Sequence, residues 1–198
     1  MRLWAQALLA LQLALFRNSV THGAVAGPYR IRIKALGNCP RNEVSDQISP
    51  SDFQMDSILR HNHSRKIPVL EFNSTFHNGM FLRGESKITV DCAKWDPVSG
   101  WREHFLVLPL GELCFVFDEI LADIIHDISS NGQIPTKCPI ADGVYKGGTT
   151  PAELLPMRHF PLLPYGRYKA IARFLHNKPR APTGIRGCVR AVVDVVSV

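Results

Sequence analysis

Five prolines within a short stretch limit what this part of the chain can form. The stretch covers residues 138–168, and its prolines are Pro139, Pro151, Pro156, Pro161 and Pro164. Because proline lacks a backbone N–H and clashes with the preceding turn, this spacing excludes a helix. Both ends are predicted to enter strands, since Gly143 and Gly166 each lie close to aromatic residues that favour strands. The segment between these ends is therefore predicted to be a loop.

That loop is unusually apolar. Its large side chains are Leu154, Leu155, Met157, Phe160, Leu162 and Leu163. Loops run over the protein surface, and an exposed apolar patch usually marks a contact with a membrane or a ligand. We therefore expect this loop to take part in binding.

The first 26 residues have the pattern of a secretory signal peptide. Arg2 supplies the positive start, residues 3–16 form an apolar run, and residues 24–26 offer a small-residue cleavage site. Cleavage after Gly23 fits almost equally well. The alternative is a signal anchor, but about 14 apolar residues fall short of the roughly 20 needed to span a bilayer. We expect residues 27–198 to form one exported domain, since this length suits a single core.

The expected mature chain is mildly basic. Without residues 1–26 it keeps 21 basic and 17 acidic residues, a net charge of +4. The basic residues are scattered rather than clustered, which argues against a nucleic-acid partner. Attraction to an anionic membrane surface stays open.

All five cysteines lie in the expected mature chain, at Cys39, Cys92, Cys114, Cys138 and Cys188. Export favours disulfides, and an odd number leaves at least one thiol unpaired within the monomer. Spacing alone leaves their connectivity open. The absence of a Cys-x-x-Cys pair argues against a zinc ribbon or a redox motif.

Alternation of apolar and polar side chains predicts most of the strands. The predicted strands are 29–35, 69–76, 88–95, 101–108, 167–176 and 188–196. Turn residues at 96–100 make residues 86–108 a hairpin. Residues 41–66 carry few core-type side chains and are predicted to be a long loop or an irregular edge.

One helix is predicted, at residues 114–128. Its apolar side chains follow helical spacing: Phe117, Ile120, Leu121, Ile124, Ile125 and Ile128. The other side is acidic, whereas helices that lie on membranes are usually basic, so we expect this helix to pack on a sheet. Six or seven strands and one short amphipathic helix predict a mostly β protein, an antiparallel β sandwich or cup.

Two sequons predict N-glycosylation in an exported protein, at Asn62 and Asn73. The first lies between His61 and His63, which could also be read as a metal-binding pair. A glycan on Asn62 would hold both rings at the surface, and no third ligand lies nearby in the sequence. A solvated loop is therefore favoured over a metal site.

Three aromatic residues of the predicted hairpin, Trp95, Trp101 and Phe105, have two interpretations. They fill the core, which is the commoner role of large aromatics, or they line a ligand cavity. Common catalytic signatures are absent, including the nucleophile elbow, the phosphate loop, the dinucleotide fingerprint and the zinc-protease helix. A catalytic triad set by geometry alone is the remaining enzymatic alternative.

Four segments resemble the C-terminal half of ganglioside activator proteins. They are residues 138–145 (CPIADGVY), the proline-rich segment, Gly166-Arg167-Tyr168 and Gly187-Cys188-Val189, and their order and spacing match. The chain is also similar to insect chemosensory and uncharacterised secreted relatives within the wider lipid-recognition superfamily. The resemblance covers residues 114–198 well, and the N-terminal half only through residues 29–39 and the strand pattern.

The resemblance implies a β-cup, in which two sheets splay around an apolar cavity and apolar rim loops touch membranes while a lipid is extracted. It implies no catalysis by the protein itself. It also implies two disulfides, Cys39–Cys188 and Cys114–Cys138, with Cys92 as the free thiol. The family's vertebrate members have further bridges that this chain lacks.

These features predict a secreted, non-catalytic protein that binds or transfers a lipid or another hydrophobic small molecule, without cofactor or metal. A chemosensory role is one candidate, and a lysosomal location is an alternative to the extracellular space. The predicted ligand-binding residues are Trp95, Trp101, Phe105, Leu155, Phe160, Leu162 and Leu163. Expected partners are the ligand, a transient membrane surface and a protein partner or receptor. The alternative function is an extracellular interaction module with a filled core, whose apolar loop docks a protein.

Overall fold

The structure, a computed structural model, describes residues 26–40, 43, 52–60, 68–129, 133–154, 156, 159–160, 162–177 and 184–198. The predicted signal peptide lies outside this part except for Ala26. Asn62, with His61 and His63, lies outside it as well, and so do Leu155 and Met157 of the apolar loop.

Within the described residues the protein is built from antiparallel strands and a short helical segment. The strands are β1 Ala26–Gly27, β2 Tyr29–Asn38, β3 Phe53–Arg60, β4 Val69–Phe76, β5 Ser86–Asp96, β6 Gly100–Glu112, β7 Gly143–Thr149, β8 Glu153–Leu154, β9 Leu163–Pro164, β10 Gly166–His176 and β11 Ile185–Ser197. The helices are α1 Leu113–Phe115 and α2 Ala122–Ser129, joined by a π-helical turn at Val116–Ile120. The predicted mostly β, antiparallel fold is confirmed.

The strands form two main sheets. The large sheet has the order β6-β5-β10-β11-β2-β8, the small sheet has the order β3-β4-β7, and β1 pairs with β9 separately. Successive side chains of a strand point to opposite faces. Along β2, Tyr29, Ile31 and Ile33 are buried, whereas Arg30 and Arg32 between them are exposed. The inner face of the large sheet thus packs against the small sheet and the helices, which is a sandwich.

Strand β3 lies inside the segment that was predicted to be a loop or an irregular edge. Along β3, Phe53 is buried and Met55 and Leu59 are half-buried, whereas Gln54 and Asp56 are exposed. The strand pairs with β4 over its whole length. A period-2 pattern was therefore present here, but Ser57 at an inward position and Ile58 at an outward one interrupt it, and the prediction for these residues was wrong.

The single predicted helix is interrupted. The N–H of Leu121 donates to the carbonyl of Val116 at 2.8 Å, which is the wider π-type bond. In the same turn, a carboxylate oxygen of Asp118 accepts a bond from the Cys138 N–H at 2.8 Å, and the Arg83 guanidinium pairs with this carboxylate at 2.7 Å. These bonds tie the first turns to neighbouring chain segments, and α2 starts anew after them.

Two disulfides join distant parts of the described chain. Cys39 is bonded to Cys188 and Cys114 to Cys138, with Cα atoms 5.4 and 5.6 Å apart. These are the pairs that the family resemblance implies, and Cys92 is a free thiol. The first bridge joins β11 to the end of β2, and the second joins α1 to the segment before β7.

A buried arginine connects the two sheets. The Arg186 guanidinium, at the start of β11, donates to the Asp52 carboxylate at 2.7 Å, the Ser86 hydroxyl at 2.8 Å and the Asn78 carbonyl at 2.7 Å. The side chain of Asn78 donates in turn to Asp52 at 2.7 Å. Arg186 is 2% exposed, and Asp52 directly precedes β3. Removing one partner of such a pair leaves an uncompensated buried charge.

We therefore expect Arg186→Met to lower the free energy of unfolding by about 3–5 kcal/mol, because Asp52 would stay buried without its counter-ion. Arg60→Met is the matched control, since Arg60 pairs with Glu71 at 3.2 Å while both side chains are more than half exposed. The control should change stability by no more than about 1 kcal/mol. Urea unfolding measures both variants, and equal losses would contradict the prediction.

Candidate functional site

An apolar pocket of about 280 Å³ lies between the two sheets and the helices. Of the described residues that line it, Ser74 is the only one with a polar side chain. Ser74 itself is almost fully buried. The arrangement suits an apolar guest, because a polar group placed there would lose its hydrogen bonds with water.

The large sheet forms one wall of the pocket through alternate residues of neighbouring strands. This wall consists of Ile33, Leu36, Ile88, Ala172, Phe174, Val189, Ala191, Val193 and, at the β8 edge, Leu154. Its middle is made of small side chains, since Ala172 of β10 lies opposite Val189 of β11, and Ala191 follows two residues later. Small residues here leave room that larger ones would occupy.

The small sheet forms the opposite wall, which is rich in phenylalanine. Phe53 and Met55 come from β3, and Leu70, Phe72, Ser74 and Phe76 come from β4. The Phe53 ring lies 5.8 Å from the ring of Phe76 and 5.2 Å from that of Phe174 in the large sheet. The last contact brings the two walls together on one side of the pocket.

Two glycines allow aromatic side chains of this wall to pack closely against the backbone. A Cβ added to Gly147 would lie 2.5 Å from the Phe72 ring, and one added to Gly187 would lie 2.4 Å from the Cβ of Phe53. Real Cβ atoms essentially never come so close to other heavy atoms. The glycines therefore let both phenylalanines lie directly against the neighbouring backbone, and larger residues at either position would displace them.

The helical segment closes the third side. Its pocket-facing residues are Leu113, Phe117, Leu121, Ile124, Ile125 and Ile128. Phe117 also makes an edge contact with the ring of Phe81, at 5.4 Å between centroids. Most of the predicted apolar side of this helix thus faces the pocket, in addition to packing on the sheets.

Charge lies on the outside of the large sheet, away from the pocket. Arg167 bonds the Asp194 carboxylate at 2.7 and 3.2 Å, and Lys34 lies 3.5 Å from the same carboxylate. The hydrogen bonds from Arg167 hold the pKa of Asp194 below its ordinary value. Among the described residues, none that lines the pocket is titratable. The two faces of the sheet therefore differ sharply in polarity.

Trp95, Trp101 and Phe105 do not line the pocket. Trp95 and Phe105 are 42% and 40% exposed, and Trp101 is half-buried. The Trp95 and Trp101 rings meet edge to face at 5.2 Å. These three residues thus lie neither among the buried core residues nor in the lining of the apolar pocket. The reason is that β6 is an edge strand with β5 as its neighbour, and Trp95 lies close to the hairpin turn.

The proline-rich loop is only partly a surface feature. Leu154 is buried and lines the pocket, so its expected exposure is wrong. Phe160 is half-buried, and its carbonyl accepts a bond from the Tyr29 hydroxyl at 2.5 Å. Leu163 pairs with Gly27 and packs against the core, whereas Leu162 is 60% exposed. Neither Phe160, Leu162 nor Leu163 lines the pocket.

Sequence reasoning missed most of the lining as a site. The alternating apolar faces of β10, β11 and β4 were predicted as strand faces, but none of their residues was predicted to bind a ligand. One signal was available, because Ala172 and Ala191 place small side chains at inward positions of adjacent strands. Strand interiors otherwise favour larger β-branched and aromatic residues.

Asn73 lies in the middle of β4, exposed on the outer face of the small sheet, and its glycosylation stays a prediction. Within the described ranges, no three His, Cys, Asp or Glu side chains form a group that could hold a metal ion. Nor is any helix there long and apolar enough to cross a membrane.

Comparison with protein-family models and with curated proteins finds no match to this chain. The resemblance to ganglioside activator proteins therefore stays an expectation that depends on the segments quoted above.

Cys92 lies on the same face of β5 as Ile88, which lines the pocket. It is half-buried and pairs with Ala170 of β10 and Leu106 of β6. Burial raises the pKa of the thiol, and the charge of Asp91 raises it further. Because the thiolate is the reactive species, little of it exists at neutral pH.

We expect iodoacetamide to alkylate Cys92 slowly in the native protein at neutral pH, and faster as the pH rises above the ordinary pKa of a thiol. In denaturant, where burial and the neighbouring charge are lost, alkylation at neutral pH should be rapid. Mass spectrometry of timed samples gives the two rates. Native labelling at the denatured rate would show that the thiol is accessible.

Proposed function

We propose that this protein is an exported, non-catalytic carrier of a lipid or another hydrophobic small molecule, held in the apolar pocket. The pocket is the observation that carries the proposal. Its volume of about 280 Å³ is close to the lower end of the range of ligand sites, about 300–1,000 Å³. Such sites are mostly apolar and largely pre-formed.

The packing favours a carrier over an interaction module with a filled core. Protein interiors are packed to a density of about 0.74, with few voids larger than a water molecule. A space of this size is a large departure from that density. A module that binds through its surface needs no such space, whereas a carrier does.

The chemistry of the pocket supports a role without catalysis. General acid–base and nucleophilic catalysis need titratable or nucleophilic groups within hydrogen-bond reach of one another. Ser74 is the only lining residue with a hydroxyl, and no described His, Asp, Glu or Lys side chain lines the pocket with it. The pocket can therefore hold and shield a ligand, but it offers no partner that would activate the serine.

Two observations support export. The described residues contain two disulfides, which persist mainly in oxidising compartments. The apolar run at residues 3–16 and the small residues at 24–26 fit a cleaved signal peptide. An exported carrier would collect its ligand at a membrane or from solution, and a receptor would be the recipient.

Apolar and cationic side chains at one end of the large sheet, where Phe105 is exposed and Lys94 and Tyr168 are half-buried, support transient contact with a membrane. The Lys94 ammonium lies 5.4 Å from the ring of Phe105 and 5.6 Å from that of Tyr168. Lys94 forms no ion pair within the described part of the chain. The Tyr168 hydroxyl bonds the carbonyl of Pro164, two residues beyond Leu162. Aromatic and cationic side chains together suit an anionic lipid surface.

The pocket is tested by native mass spectrometry of the protein purified from culture medium. We expect the native protein to be heavier than the glycosylated chain by the mass of a bound apolar compound. This extra mass should disappear on denaturation, when the compound is released. Ala191→Phe should abolish the extra mass, because it fills the pocket. Ala35→Phe, at an exposed position of β2, should keep it. Ligand-free protein that takes up no added fatty acid would overturn the carrier proposal.

Membrane contact is tested by sedimentation with phosphatidylserine-containing vesicles. We expect Leu162→Ser to weaken association about 10- to 150-fold, since inserting a leucine side chain contributes about 1.5–3 kcal/mol. Ile58→Ser is the matched control, because Ile58 is 54% exposed on the small sheet. Both variants should stay within about 1 kcal/mol of the parent in stability. Equal association of the two variants would place the contact elsewhere.

A further inference from the structure

The volume of the apolar pocket limits the size of its ligand, and this step rests on the proposed carrier function. An apolar cavity of about 150 Å³ holds one benzene molecule, which has six carbons. In proportion, 280 Å³ holds roughly 11 carbon atoms. We infer that the pocket takes one aliphatic chain of medium length, and that a lipid with two long acyl chains does not fit.

The lining determines which part of the ligand enters. None of the described lining residues carries a charge, and a carboxylate or an ammonium group buried without a partner is strongly unfavourable. A charged or strongly polar head group therefore stays outside the pocket while the chain lies inside. Medium-chain fatty acids, the matching alcohols and hydrocarbons share this chemistry.

Small residues of the large sheet leave the room for the chain. Ala172 and Ala191 lie on neighbouring strands and face the phenylalanine-rich wall of the small sheet. A leucine at either position adds three carbon atoms to the lining, so the space shrinks by about three carbons of ligand. Ile124 of α2 is half-buried and lines the third side, which the helical segment closes. Changing it to alanine removes three carbons while keeping a strong helix former.

The experiment measures the affinity of the full secreted chain for saturated fatty acids and alcohols whose lengths bracket roughly 11 carbons. Isothermal titration calorimetry on delipidated protein gives the dissociation constants. Affinity should rise about 4-fold for each added methylene, the equivalent of about 0.8 kcal/mol, until the pocket is full. Beyond that length the affinity should rise no further, and the shortest chain that reaches the highest affinity is the optimum. Acids and alcohols should share this optimum, because their head groups lie outside.

Three variants make the test specific. Ala191→Leu should move the optimum about three carbons shorter, and Ala172→Leu provides a second test on the adjacent strand should the first fail to fold. Ile124→Ala should move the optimum about three carbons longer. Ala35→Leu, exposed on β2, should leave it unchanged. A general loss of stability would weaken all lengths together and would not move the optimum.

The outcomes separate this inference from the carrier proposal. Binding with no preferred length, an optimum that none of the pocket variants moves, or equally tight binding of a two-chain phospholipid would overturn the inference and leave the carrier function standing. If no aliphatic compound binds at any length, the carrier proposal fails and the inference fails with it.

Discussion

The buried guanidinium of Arg186 is the contact on which the arrangement of the two sheets depends. It belongs to β11 of the large sheet and binds Asp52, which directly precedes β3 of the small sheet. It also binds Asn78, in the segment that connects the small sheet to the large one, and Ser86, the first residue of β5. Burying a charge in this way costs several kcal/mol unless its hydrogen bonds are satisfied. Here the guanidinium has three partners, so the same geometry that compensates the cost also sets how β3 lies relative to β11.

That geometry has a direct consequence for the pocket. Phe53 follows Asp52, and its ring packs on Gly187, which follows Arg186. The same ring touches Phe174 on the large sheet. The ion pair and the ring contact thus hold the sheets together at one side of the pocket, and the helical segment closes another side. Between them the walls carry alanines opposite phenylalanines, and the space stays open because neither set of side chains fills it.

The outer surface of the large sheet differs from its inner face in carrying charged side chains. Charged side chains on the outer face of the large sheet pair with one another, as Arg167 and Lys34 do with Asp194. The β5–β6 end instead exposes Trp95 and Phe105 beside a lysine that has no ion pair among the described residues.

The alternation of side chains along the chain determined the mostly β, antiparallel fold and the inward faces of β2, β4, β10 and β11. That much follows from sequence because a strand has a period of two, whatever covers it. The pattern at 53–60 did not predict a strand, since a polar residue, Ser57, points inward and an apolar one, Ile58, points outward. Similarly, the helical spacing gave the correct apolar side but could not show the π-helical turn, which depends on bonds between Asp118, Arg83 and Cys138.

Only the tertiary structure decided whether an inward face is filled or open. The alternation predicts that Ala172 and Ala191 point inward, but it does not show that the side chains of the opposite wall leave the space beside them unfilled. It likewise could not place Trp95 and Phe105 at an uncovered edge, or Arg186 in the interior, because exposure depends on which strands become neighbours. The local pattern specifies the direction in which a side chain points, whereas its neighbours come from parts of the chain that are distant in sequence. The pocket is formed between such parts, so the sequence pattern alone could not predict it.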